Sequence, residues 1–229
     1  MSTSKKPGAE VPALAAELIA HLRGLTVFRT QQVRAIRREY SKRLAPATAE
    51  DVLAVALEVI EQTGCRWAAY ELVCHHRAAL RSLGVKELHQ FGRGMASWGE
   101  VDSFACYLAG PAWRERQVPD RLLDGWAVSK DRWWRRAALV STVPLNNKAR
   151  GGNGDIARTL EVCRLLVKDS DDMVVKAMSW ALREAAKRDP AAVRRFLAGH
   201  ESVLAARVLR EVRSKLRTGL KNPRRVRGR

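Results

Sequence analysis

Three short segments hold side chains of types that could do chemistry together. In 97–108 (SWGEVDSFACYL), Trp98 and Asp102 stand four apart, so on a helix an indole and a carboxylate lie side by side. Ser97 followed by Glu100 reads as a capping box, which starts the helix at Ser97. The acid then sits near a positive helix terminus that favours its ionised form. Such a pair can face a cationic group, or it can pack and serve the helix dipole.

In 131–143 (DRWWRRAALVSTV), Asp131 can cap a helix whose core stripe is Trp133, Ala137, Val140 and Ser141. Arg135 and Arg136 are about 100° apart on that helix, so they cannot both face one small site. Arg136 lies beside the Trp133 stripe and Arg135 points away from it. A guanidinium suits bidentate contact with phosphate, and a solvent-facing pair is the alternative.

In 173–187 (MVVKAMSWALREAAK), Val174, Met178, Ala181 and Ala185 form the core stripe, and Trp180 falls opposite. Its face also carries Lys176, Arg183 and Lys187. An indole among cations suits contact with sugar or bases while the cations hold phosphates; contact with a neighbouring helical pair is the alternative. The loop 146–153 (NNKARGGN) adds Lys148 and Arg150. It lacks the Walker pattern and a preceding strand, so nucleotide binding is excluded.

The elements that must position these residues are helices. Helical periodicity runs through 11–217, and alternating β-branched runs are nearly absent. Breaks fall at Gly24, Pro46, Gly64, Gly84, Gly110 with Pro111, Asp131, the glycines of 151–154, and Pro190. Between them about a dozen short helices form pairs, which predicts an all-α stack of antiparallel helical repeats in one domain, 11–217. A globular bundle is the alternative. Residues 1–10 read as a flexible lead-in and 218–229 as a basic, unfolded tail.

Composition narrows the partner. Lys and Arg number 42 against 24 Asp and Glu, a net charge of +18. So large a surplus opposes compactness, and a polyanionic partner, nucleic acid ahead of an acidic membrane, is the natural reason to keep it. No segment reaches the roughly 20 apolar residues that span a bilayer, and no signal peptide is evident. The four cysteines form no C-x-x-C pair, and Cys74 beside His75 and His76 reads as a helix thiol. Neither a metal nor a cofactor is expected, and the expected place is a reduced cytoplasm.

Together the three segments resemble the AlkD family of HEAT-like-repeat DNA glycosylases. The pieces are W-x-x-x-D at 98–102, W-W-R-R-A-A at 133–138 and K-A-M-S-W-A-L-R-E at 176–184. Each is weak singly; three in order with suitable gaps are specific. The resemblance covers about residues 20–216, and the 146–154 loop is a few residues longer than it leads one to expect.

The resemblance implies a C-shaped superhelical stack of HEAT-like repeats with a basic concave face on duplex DNA, working as a monomer with the chromosome, in a bacterial nucleoid. It implies hydrolysis of the N-glycosidic bond of cationic N3- and N7-alkylated purines, without a cofactor. Trp98 and Trp180 would pack against the deoxyribose, Asp102 would be the catalytic carboxylate, and Arg136 would hold a neighbouring phosphate. Lys176, Arg183, Lys187, Lys148 and Arg150 are further candidates for the DNA backbone. A cationic purine leaves as a neutral base without a general acid, so the sugar is what needs help. A fixed carboxylate about 3.5 Å from the developing oxocarbenium attracts it by about 5 kcal/mol at an effective dielectric of about 20. The alternative is a non-catalytic HEAT-like protein that binds damaged or branched DNA.

Overall fold

The structure, a computed structural model, describes residues 10–27 and 29–222. Among these, every regular element is helical: fifteen α-helices, one π-helical turn and one 3-10 turn. The all-α expectation stands. The helices exceed a dozen because three stretches are interrupted, the last of them at Thr142 between Arg132–Ser141 and Val143–Asn146. At His76 the backbone extends (φ −107°, ψ 104°), and its side chain caps a new helix by accepting from the Ala79 N–H. The second interruption is the π turn at Ala105–Ala109.

The chain forms two compact units, one ending at Arg93 and the other starting at Gly94. In the first, Val11–Arg23 packs on Thr30–Arg43 and Ala49–Thr63, and Arg66–His75 packs on the latter two. Leu18, Leu22, Val33, Val59 and Tyr70 fill its core. Arg34 and Arg37 both bond to the buried Glu71 carboxylate, each at 3.1 Å.

The second unit carries all three segments, as two rows of helices. One row runs Trp98–Phe104, Arg132–Ser141, Asp172–Ala185 and Ala206–Thr218, each packed on the next. Behind it, Asp120–Ala127 and Ile156–Leu165 pack on each other and on this row, and Pro190–Gly199 packs on Asp172–Ala185. Ala137, Ala138, Ala177, Ala181 and Ala185 are fully buried, and their small size lets the helices of the row approach closely. Phe104, Trp126 and Trp134 form an aromatic trio with centroids 4.8–6.0 Å apart, joining the first two helices of the row to Asp120–Ala127. Each such pair adds about 0.5–1.5 kcal/mol beyond its buried area.

Gly110 and Pro111 do not end a helix, contrary to the sequence expectation. The π turn runs straight into Gly110–Arg114. In a regular α-helix the Pro111 ring would collide with the carbonyl four residues earlier. The wider turn, in which the Gly110 N–H bonds to the Ala105 carbonyl, relieves that conflict. Gly110 is required here: a Cβ would lie 2.7 Å from Pro144 Cγ and from the Ser141 carbonyl.

At the chain's end, Ala206–Thr218 stops at left-handed Gly219 (φ 74°). The lead-in up to residue 9 and the tail residues 223–229 lie outside the described residues.

Candidate active site

Three consecutive helices of the front row bring the marked residues together. The Ser97 side chain caps the first by accepting from the Glu100 N–H at 3.3 Å. Glu100 reaches back to the Ala96 N–H at 2.7 Å, one residue earlier than a strict capping box. This cap puts Trp98 at the first helical position with its side chain in the open; the residue is 62% exposed. One turn later comes Asp102. Trp98, Asp102, Trp180 and Arg150 meet in one cleft of about 190 Å³, whose wall Gly99, Ser103, Cys106 and Tyr107 complete. Val101, Phe104, Ala105 and Leu108, the expected core stripe, are fully buried behind it.

Asp102 is largely buried and grips Arg136 through two parallel bonds. Arg136 Nε donates to Oδ1 at 2.9 Å and Nη2 to Oδ2 at 2.8 Å. Burial raises the Asp102 carboxyl above its ordinary value, and the hydrogen bonds and charge of Arg136 lower it without cancelling that rise. The Arg136 guanidinium supports the acid's charge directly. Arg136 is itself buried, 5% exposed, and its Nη1 donates to the Met173 carbonyl at 2.5 Å. Its guanidinium thus holds the carboxylate and ties the second helix of the row to both neighbours. Arg135 goes elsewhere, as the helical phase demands. It donates to Asp169 at 2.7 Å and to the carbonyls of Ser129 and Lys130. Neither arginine is a free solvent-facing cation.

On Asp172–Ala185, Val174, Met178, Ala181 and Ala185 are buried, and so are Val175, Ala177 and Leu182, because the helix has neighbours on both sides. Trp180 reaches the cleft from it. The cations of its face are partly balanced. Lys176 pairs with Asp172 at 2.5 Å, Lys187 with Glu184 at 2.7 Å, and Arg183 Nε donates to Ser179 Oγ at 3.2 Å. Lys148 is exposed and has no ion-pair partner among the described residues.

The 146–154 loop is firmly built. Arg188 Nε donates to the Asn146 carbonyl at 2.6 Å and its Nη2 to that of Gly152. Arg114 donates to the Arg150 carbonyl. The loop delivers the Arg150 guanidinium over the Tyr107 ring, 5.4 Å from its centroid.

Ser103, Cys106 and Tyr107 were not singled out from the sequence. At 100° per residue Tyr107 falls away from Asp102; the π turn between them changes that phase. The one available signal was a proline inside an otherwise helical run. Burial pushes the Cys106 thiol up to about 12, so it walls the cleft as a neutral group. Among the described residues no cluster of three His, Cys, Asp or Glu could hold a metal ion.

An ionised carboxylate walled by two indoles, with cations around it, is arranged to meet a group that is positively charged and attached to phosphates. A family model described as DNA alkylation repair enzyme matches residues 12–216. No curated protein and no solved structure matches the chain.

Proposed function

The chain belongs to the family of DNA alkylation repair enzymes, and from that premise we propose that it hydrolyses the N-glycosidic bond of cationic N3- and N7-alkylated purines in duplex DNA. The observation that carries this reading is the meeting of Asp102 with Trp98 and Trp180 in one cleft. The alkylated base already carries the positive charge that makes it a leaving group. As the bond lengthens, charge moves to C1′ and O4′ of the deoxyribose. The Asp102 carboxylate stabilises it there and orients the water that adds to C1′. The indole faces add cation–π attraction of about 1–2 kcal/mol. Arg136 keeps the acid ionised and aimed, so that no reorganisation is needed as charge develops.

The lesion stays stacked in the duplex while its backbone is contacted. This is what the family resemblance implies, and the cleft presents a carboxylate and two indoles suited to a sugar edge. Incubation with methylated duplex DNA tests the function directly. Free 7-methylguanine or 3-methyladenine, with an equal yield of abasic sites, is the expected result. Tight, salt-sensitive binding with no released base would instead make the chain a damage-binding protein.

A further inference from the structure

We propose that Arg150, whose guanidinium lies over the Tyr107 ring, is the clamp for a phosphate flanking the reactive sugar. This rests on the DNA reading above and gives to Arg150 a role that the family resemblance assigns to Arg136. The argument begins with charge. A phosphodiester entering the cleft brings a negative charge close to Asp102, and the two repel unless a cation stands between them. Arg136 is already engaged by Asp102 and the Met173 carbonyl. Lys176 and Lys187 are paired with Asp172 and Glu184. Arg150 is the cation that lines the cleft without a carboxylate partner among the described residues.

Its geometry suits the task. A guanidinium lying over an aromatic ring keeps its N–H edge open for the two parallel bonds that a phosphate accepts. Cation–π attraction to the ring favours this placement before a phosphate arrives, so less side-chain freedom is lost on binding. The backbone beneath is held just as firmly. Arg114 bonds to the carbonyl of Arg150 itself, while Arg188 holds the carbonyls of Asn146 and Gly152. The Gly152 and Gly154 N–H groups close back onto the carbonyls of Asn147 and Leu145 at 2.9 Å each. Asn147 Nδ2 ties the loop to Glu184 at 3.3 Å. At Gly152 a Cβ would lie 2.5 Å from the Pro144 carbonyl oxygen, so the loop sits directly on the backbone below it. Two arginines and a glycine without spare room thus hold one further arginine in the cleft.

The test is a thermodynamic cycle in binding, independent of base release. The probe is a duplex with a tetrahydrofuran residue in place of the lesion, compared with duplexes in which single flanking phosphates are neutral methylphosphonates. Arg150→Ala should weaken binding about ten-fold, the worth of one charge-assisted contact, and should lower the salt slope by about 0.9. Wild type should lose about as much on one methylphosphonate position, and Arg150→Ala should lose little more there. Arg150→Lys should restore the salt slope and only part of the affinity, since a point charge cannot replace the fork. Losses that multiply at every flanking position, or a methylphosphonate that couples to Arg136→Ala instead, would overturn the assignment. Wild type that ignores the duplex at all salt concentrations overturns the DNA reading with it. Coupling in a protein that releases no base leaves the clamp standing and removes only the glycosylase step.

Discussion

The carboxylate of Asp102 and the guanidinium of Arg136 face each other fork to fork, with N···O distances of 2.9 and 2.8 Å, in a site that both largely bury. This pairing sets two opposing influences on one acid. Burial favours the neutral carboxyl, the guanidinium favours the ionised one, and burial is the larger. A carboxylate so placed is poorly hydrated, and its field reaches a developing cation with less screening than it would in water. The arrangement also fixes where the acid points, since two bonds define its plane.

Asp102→Asn keeps the size of the side chain and removes its charge. Release of 7-methylguanine should fall by at least about a hundredfold, the scale of losing one preorganised electrostatic partner. Affinity for the duplex should stay level or rise, because an anion no longer repels nearby phosphates. Single-turnover base release and equilibrium binding read the two effects separately, and equal turnover by both proteins would take Asp102 out of the chemistry.

The same pairing fixes a pH profile. The reaction needs the ionised form, so the rate falls as pH drops through the Asp102 pKa. That pKa is raised above its ordinary value by burial, so the acid limb should lie higher than for a free aspartate. Arg136→Gln removes the influence that lowers it, and the limb should move higher still. Rates measured on pre-alkylated DNA across the acid range check the direction. A limb that moves down, or does not move, contradicts the assignment.

Arg135 and Arg136 are adjacent in sequence and should respond differently. Each loses a partly or fully buried ion pair on mutation to alanine, so both variants should unfold earlier; breaking a buried pair costs about 3–5 kcal/mol. Only Arg136→Ala should lose activity per folded molecule, because only Arg136 touches Asp102. Comparing thermal midpoints with rates at low temperature separates stability from function. The opposite ranking of rates would show that the charge of Asp102 does not depend on this partner.

Much of this site is legible in the sequence. Val101 and Phe104, and likewise Met178, Ala181 and Ala185, fall in the core where a 100° step puts them. That step also separates Arg135 from Arg136, and it sets Trp98 beside Asp102. What was not legible has physical reasons. Periodicity gives the face of a residue on its own helix and says nothing of what the facing helix offers, so Arg136 could be phased but its partner, Asp102, could not be named. Tyr107 was hidden by the π turn, which a fixed step cannot represent. The 146–154 loop has no period, and its order comes from Arg114 and Arg188, both distant in sequence.

Trp98 offers a test in which stability and function part cleanly. Its indole stands at a helix start with most of its surface open, so Trp98→Ala should change the unfolding free energy by no more than about 0.5 kcal/mol. If the ring faces the cationic sugar, its loss removes about 1–2 kcal/mol from the transition state, or roughly ten-fold in rate. Trp98→Phe should recover part of that rate. Unchanged catalysis in Trp98→Ala would make the indole a bystander.

Gly152 links the loop to the cleft. A Cβ there would lie 2.5 Å from the Pro144 carbonyl oxygen and 2.7 Å from the Leu145 carbonyl, and neither backbone group is the free end of a side chain. Gly152→Ala must therefore push the loop outward, at about 1–3 kcal/mol for the overpacking. Moving the loop lifts Arg150 from Tyr107, so duplex affinity should fall together with the thermal midpoint. Gly125→Ala is the control: it lies within Asp120–Ala127, no atom stands within 4 Å of its Cβ, and alanine there should stabilise the helix by about 0.5–1 kcal/mol with binding untouched. A Gly152→Ala protein that loses stability but binds DNA as tightly as wild type would show that the position of Arg150 does not depend on this loop's seat.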